Sequence, residues 1–410
     1  METKIRIAAI GYGNRVRKYL QYVEEHPTAA VLAAVVDSNE LRLDEARHKF
    51  GVEKENCFTS IDDFFSSNLQ VDGVIIGTPD DFHYEACISA INKGFRVLLE
   101  KPIAQSIQEC NKILEASSLK GVPVTVCYVL RYYSYYQKIK SIIDSGELGE
   151  MVSINHIVNV GIDRTTHSYV RGIWNNSSTS NPIILSKCCH DIDLIIWLTG
   201  SLPKRVNSFG SLKWFKKENA PKGCSHRCKD CAIERNCPYS AIDLYIRRRE
   251  WISNFIVPEG DTLENVLDNE MENGLYGRCV YFCNNNVRDH QIVSMLMENE
   301  VVVNLSMDCF TLKDNRVTNI KFVFGEIEAD DEVIRVTNFK TKEVAEYDFS
   351  KINKLPLHAN ADLKIMEEFI SSFNKNFDIN MPLLESSIES HKACFAAEES
   401  ARKGKNIKLK

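Results

Sequence analysis

The chain has 410 residues, is 44% hydrophobic and 26% charged, and carries a formal net charge of -6. That length can build two self-sufficient cores, the spread acidic balance argues against a nucleic-acid partner, and no apolar run reaches the roughly 18 residues of a membrane span. The opening Met1-Glu2-Thr3-Lys4 passes into a strand pattern without the apolar stretch of a signal peptide, so a cytoplasmic location is expected.

Ile5 to Ile10 is an apolar-rich run that ends in Gly11-Tyr12-Gly13-Asn14-Arg15-Val16. A helix pattern follows at once, with Val16, Tyr19, Leu20 and Val23 forming one apolar stripe. Between strand and helix, Gly11 and Gly13 leave backbone N–H groups free to hold a phosphate, and Asn14 and Arg15 open the helix. Val16 stands where a dinucleotide fingerprint has a third small residue, so the helix must lie further from the strand or the turn must differ. The next run, Ala30 to Val36, reads as a strand and stops at Asp37. A carboxylate there can accept both ribose hydroxyls and repel a 2′-phosphate, which favours NAD, while Arg42 keeps NADP open.

Val74-Ile75-Ile76 leads to Gly77-Thr78-Pro79, and Tyr84, Cys87, Ile88 and Ile91 then repeat a helical stripe that Gly94 stops. Arg96 to Leu99 runs into Glu100-Lys101-Pro102. Ser106 and Glu109 form a capping box for a further helix that ends at Gly121, before a strand from Val124 to Tyr128. Strands alternating with helices predict a doubly wound parallel sheet that binds its ligand at the carboxyl ends of the strands. Beyond Tyr128 the period changes to two. Val303, Leu305, Met307 and Cys309 alternate with polar residues, followed by Ile320, Phe322 and Phe324, the pattern of a sheet with one covered face. The expected fold is therefore α/β: a Rossmann domain over 1–127, then a substrate and oligomerisation domain over 128–410.

With Glu100-Lys101-Pro102 in place, nearly the whole chain resembles the glucose–fructose oxidoreductase / inositol dehydrogenase / rhizopine-catabolism (Gfo/Idh/MocA) family. The resemblance covers Gly11-Tyr12-Gly13, Asp37 with Arg42, Thr78-Pro79 with His83, Glu100-Lys101-Pro102, Arg131-Tyr132, Gly146-Glu147-Leu148-Gly149 and His190-Asp191-Ile192-Asp193. Ser390-His391 through Phe395-Ala396-Ala397-Glu398 is similar to the closing helix of one branch of that family. It implies a second domain with a large, mostly antiparallel sheet, a nicotinamide cofactor, sugar- or polyol-like substrates and a homo-oligomer, dimer or tetramer. It also implies cofactor contacts from Gly11, Gly13, Asn14, Arg15, Asp37, Arg42, Thr78, Pro79, His83, Glu100 and Arg131.

Oxidising a carbinol needs a base for the hydroxyl proton and a cation beside the developing alkoxide. Lys101 and His190 fit those roles. Pro102 keeps Lys101 out of a helix. Ile183 to Leu198 reads as one helix, placing Ser186, Lys187, His190 and Leu194 on a shared face, with Asp193 able to orient the imidazole. A helix start lowers the pKa of His190 toward its neutral form. Inositol dehydrogenase-like members carry an aspartate four residues before the histidine, whereas this chain has Ser186, so Lys187 is the added candidate beside Lys101. His167, Arg171, Trp174, Tyr276, Arg278 and His290 are candidate substrate contacts.

Cys224, Cys228, Cys231 and Cys237 are spaced C-x3-C-x2-C-x5-C inside a loop at 221–241. That spacing predicts a structural zinc site, with iron–sulfur binding, free thiols and disulfides as alternatives and His226 as a substitute ligand. The favoured function is an NAD(P)-dependent dehydrogenase or reductase acting on CH–OH groups. Redox-assisted glycoside cleavage on bound NAD and a non-enzymatic dinucleotide-binding regulator are the competing readings.

Overall fold

The computed structural model describes residues 4–352, 356–374 and 382–409. Six strands form the first sheet: β1 Ile5–Ile10, β2 Ala30–Val36, β3 Cys57–Phe58, β4 Gly73–Ile76, β5 Arg96–Leu99 and β6 Val124–Val126. Every pairing is parallel, in the order β3-β2-β1-β4-β5-β6. The helices between them are α1 Asn14–Glu25, α2 Glu40–Phe50, α3 Ile61–Ser66, α4 His83–Asn92 and α5 Ile107–Lys120. Strands covered on both faces need continuous apolar residues, and all four of β4 are buried. The strand order reverses direction at β1 and β4, which opens a crevice beyond their carboxyl ends.

After α6 Ser134–Asp144 the chain enters a nine-stranded sheet. Its strands are β7 Met151–Val160, β8 Pro203–Ser211, β9 His290–Met297, β10 Val302–Asp308, β11 Asp314–Phe322, β12 Gly325–Ala329, β13 Val333–Asn338, β14 Val344–Asp348 and β15 Ile407–Lys408. The order is β14-β13-β12-β11-β7-β10-β9-β8-β15, antiparallel throughout except where β10 pairs with β7. Val303, Leu305, Met307 and Cys309 are fully buried, as their alternation requires. Phe324 breaks the expected pattern: it is 38% exposed in the turn between β11 and β12, its ring over Gly149.

Between β7 and β8 come α7 Ile162–Arg164, a π-helical stretch over Thr165–Arg171, α8 Ile183–Ser186 and α9 Cys189–Thr199. The single helix expected over Ile183–Leu198 is two, separated by a turn at Lys187 and Cys188, whose dihedrals (φ -108, ψ -55 and φ -88, ψ -1) stray from those of a regular helix. Further on lies α10 Leu263–Asn273, then α11 Pro356–Ser371 and α12 Leu384–Lys403. Ala361, Ile365, Met366 and Phe369 of α11 share a core with Ile7, Val16 and Leu20, so a late segment returns to cover the first sheet. Val126 N–H donates to Pro382 O at 3.1 Å, tying the same return to β6.

Candidate active site

The loop after β1 is built to let something approach its backbone. Gly11 has φ +86, and a Cβ there would lie 2.7 Å from Thr78 N, so only glycine fits this crossing. At Gly13, the N-cap of α1, no side chain caps the helix, which leaves its first-turn N–H groups to a ligand. Val16 is accommodated from the other side: Gly77, at the end of β4, has no Cβ to meet Val16 Cγ2. Thr78 Oγ1 is buried without a hydrogen-bond partner. Asp37, 7% exposed, accepts from Tyr12 N (2.8 Å) and Asn39 N (2.9 Å), and Arg42 lies 3.4 Å from its Oδ2. A free phosphate-type helix start, an orphaned hydroxyl and a fixed carboxylate at the end of β2 fit a dinucleotide.

Other expected cofactor contacts are spent inside the protein. Arg15 bonds Glu100 (2.9 Å), Tyr19 (2.6 Å) and Asp362 (2.6 Å). Burial opposes ionisation of Glu100, yet Arg15, Lys101 and the Tyr19 hydroxyl together hold its carboxyl below the usual range. Both ring nitrogens of His83 face carbonyl oxygens, Pro102 O at 2.6 Å and Thr78 O at 3.0 Å, which staples the loops after β4 and β5. Arg131 grips Asp193 with two hydrogen bonds of 2.8 and 2.5 Å. Asp193 therefore anchors α9 to the segment after β6 and does not orient His190. Pro79 borders an open cleft of about 370 Å³, which Trp174 and Arg278 also line.

Lys101 follows β5 and its Nζ donates to Ser186 O at 2.6 Å. That carbonyl ends α8, where helix geometry leaves acceptors free. The Ser186 hydroxyl turns back to Pro182 O at 3.3 Å, so main chain replaces the carboxylate that the resemblance implies at this position. His190 starts α9 half-buried, edge-on to Tyr128 at 5.5 Å, and its Nδ1 has no partner. Burial, then the nearby Lys101 charge, push the imidazole pKa well below its ordinary value. Lys187 does not join Lys101. The break after α8 turns it to Asp314, 3.4 Å away, in a cluster with Arg164, and burial lowers its pKa to about 8.

Sequence reasoning missed the support behind this pair. Ile103 N–H donates to His391 Nε2 at 2.8 Å, and His391 Nδ1 lies 3.0 Å from Tyr128 OH, which also bonds Ser390 Oγ at 2.6 Å. Since Nε2 accepts, the ring proton sits on Nδ1. A histidine on the apolar face of the closing helix was the available signal. Asp191 was also passed over: it accepts from His156 Nε2 (3.1 Å) and pairs with Arg316, and although burial opposes it, these partners hold its carboxyl far below the usual range.

Several candidate contacts have other work. His167 stacks between Tyr276 (4.4 Å) and Trp251 (4.8 Å), and its Nε2 meets Asn254 Nδ2 at 3.0 Å. Asn254 also accepts from Asn14 Nδ2, so the segment between β8 and β9 reaches across to the first turn of α1. His290 pairs with Asp289 at 2.8 Å. The expected zinc cage is not formed: among the described residues no three His, Cys, Asp or Glu side chains gather at a metal-holding position. His226 stacks on Phe282 at 4.3 Å rather than substituting for a thiol.

Residues 5–128 match the model of the oxidoreductase family with an NAD-binding Rossmann fold, and residues 136–230 match the GFO/IDH/MocA C-terminal domain. The oxidoreductase YteT of Bacillus subtilis (strain 168) is 28% identical over 227 residues, 53% of this chain and 52% of that one. The chain spans about half the length of the curated relatives it matches. Among solved structures, an Agrobacterium radiobacter oxidoreductase in complex with NAD+, L-tartaric acid and magnesium superposes with TM-score 0.72 at 15% identity, covering 99% of this chain and 98% of its own. The scyllo-inositol dehydrogenase of Lactobacillus casei with NAD(H) and scyllo-inositol gives 0.68 at 18% identity, covering 99% of both. At these identities the likeness concerns the fold.

Proposed function

Because the chain belongs to the GFO/IDH/MocA oxidoreductase family, we propose that it is an NAD-dependent dehydrogenase or reductase acting on a sugar, polyol or sugar derivative. The observation that carries this reading is the meeting of Lys101 and a depressed-pKa His190 at the carboxyl end of the first sheet, beside the Gly11 loop. NAD, when bound, supplies the hydride acceptor. Gly11, Gly13 and the start of α1 would hold its phosphates, Asp37 would take the ribose hydroxyls and Thr78 Oγ1 would gain a partner. Arg42 pairs with Asp37, which supports NAD over NADP.

In the oxidising direction the substrate hydroxyl gives its proton to His190, neutral because burial disfavours its charged form, as hydride leaves the same carbon. The Lys101 ammonium, aimed by Ser186 O, stabilises the developing alkoxide. In the reducing direction the same proton returns from His190. Tyr128, His391 and Ile103 fix the backbone that carries Lys101.

A homo-oligomer in the cytoplasm completes the reading. Phe209, Ile292 and Ile157 stand on the open face of the second sheet, at 69, 47 and 36% exposure. Phe209 pairs in register with Ile292, Ile292 with Ser306 and Ser306 with Ile157, making one row across four strands. Light scattering of purified protein is expected to give a dimer or tetramer.

The test of function is to denature the purified protein, identify any released dinucleotide, and screen native enzyme with NAD against sugars and polyols for NADH. Activity with one class supports the dehydrogenase. Failure to bind any dinucleotide refutes it.

A further inference from the structure

We propose that the open cleft bordered by Pro79 is a subsite for a second sugar ring, so that the substrate is a neutral glycoside or oligosaccharide and not a free monosaccharide. This rests on the dehydrogenase reading above and names its substrate class. The cleft, about 370 Å³, lies in the size range of small-molecule sites, about 300–1,000 Å³. Its walls run into the loops that hold Lys101. Asp80 to Phe82 lie between Thr78 and His83, which is stapled to Pro102 O. Ser180 O accepts from Gln105 Nε2 at 3.3 Å just before α8, whose last carbonyl aims the ammonium.

The cleft gathers apolar side chains that a folded protein has no reason of its own to expose together. Phe82, Ile173 and Leu275 are 47, 46 and 45% exposed, and the half-buried Trp174 lines the same space. Such a group, rimmed by polar residues, marks a binding surface. Phe82 follows β4 and Trp174 precedes α8, so two separate segments supply the aromatic rings. The indole is held ready, because Asp80 accepts from Trp174 Nε1 at 3.4 Å and from Asn181 Nδ2 at 2.8 Å. A sugar ring presents C–H groups on its faces, which pack on the electron-rich face of an aromatic ring, and hydroxyls around its edge.

Ser180 gives a second, independent observation. It lines the cleft at 7% exposure, and its Oγ is buried without a hydrogen-bond partner, a cost that a ligand hydroxyl relieves. Charge then selects the kind of ligand. Arg278 spends its Nε on Leu275 O (3.0 Å) and its Nη2 on Arg171 O, and no carboxylate pairs with it among the described residues. Asp80 and Asp81 line the same cleft with the opposite sign. Hydroxyls both donate and accept, so a neutral polyhydroxylated ring can use the cation and the carboxylates together. A nucleoside diphosphate would bring its negative charge against two carboxylates.

The test gives the NAD-loaded full chain glucose, galactose and xylose beside cellobiose, maltose, lactose, xylobiose and UDP-glucose. NADH formation is read as kcat/KM, and contact by saturation-transfer NMR. At least one disaccharide is expected to exceed its own monosaccharide in kcat/KM by about tenfold or more, with saturation reaching protons of both rings. Phe82→Ala, at an exposed position that the fold does not depend on, and Trp174→Ala should each lower that ratio at least about threefold. A ratio unchanged in both variants, or UDP-glucose preferred to every disaccharide, overturns the proposal. Free sugars oxidised with no disaccharide preferred would sink the second subsite and leave the dehydrogenase reading standing. Neither NADH nor NMR contact with any sugar would remove both.

Discussion

The loop after β1 and the arm between β8 and β9 meet at Asn14 and Asn254, yet they are made in opposite ways. The first is a backbone device: Gly11 at φ +86, an uncapped helix start at Gly13, and Asp37 at the end of the next strand. Short-range sequence specifies all of it. The second is a side-chain device, in which His167 lies between two aromatic rings and Arg171 is buried against a cysteine loop some 50 to 70 residues further along. Local spacing shows that those cysteines belong together, but a partner so distant in sequence is invisible until the chain folds.

Changes in the backbone device are expected to be the more damaging. Gly11→Val places a branched side chain against the Gly77–Thr78 backbone, and dinucleotide affinity should fall more than about 100-fold, or about 2.7 kcal/mol, in a calorimetric titration. A fall of less than threefold would mean that the loop does not carry the phosphates.

Acid offers a probe common to both regions. Burial depresses His391, behind Lys101, to about 3 and His167, packed against the arm, to about 4. The unfolded chain protonates these rings near pH 6.5, while the folded chain does so only near pH 3 and 4. Unfolding therefore takes up protons in that window, and stability is lost as pH falls from about 6.5 toward 4, by at most about 1.4 kcal/mol per pH unit for each group. Urea melts of His391→Gln and His167→Gln variants should each show a shallower slope than wild type. An unaltered slope in either would mean that its ring is not held neutral.

The smallest effect belongs to the crossing itself. Asn254→Ala leaves the phosphate loop intact and should weaken dinucleotide binding only about threefold to tenfold, the worth of a hydrogen bond or two, mostly as faster release in stopped-flow. A change as large as that of the Gly11 variant would make the arm an equal part of the cofactor site.

The same division explains what was legible. Strand and helix periods located the first sheet except β3, because buried parallel strands and amphipathic helices write their packing into local pattern, whereas Cys57–Phe58 is a two-residue edge strand too short to show a period. Lys101 and His190 stood out through the family resemblance. What failed was long-range or hidden in geometry. Nothing between Ile183 and Leu198 is a glycine or proline, so the break after Ser186 carried no local sign, and Lys187 was placed on the wrong side. Asp193 lies one helical turn from His190 in sequence, but Arg131, 62 residues earlier, takes both its oxygens. The cysteine spacing pointed to a lone zinc ion, whereas the thiols surround a shared space.

The most direct test of the account is hydride transfer by Lys101→Ala, measured in single turnover beside wild type with the substrate that the screen identifies. Removing the ammonium leaves the Gly11 loop untouched, so NAD affinity should stay within about twofold while the rate falls by about 10²–10⁴. A variant that binds NAD and turns over at the wild-type rate would contradict the assignment of Lys101 and, with it, the chemistry drawn for this site.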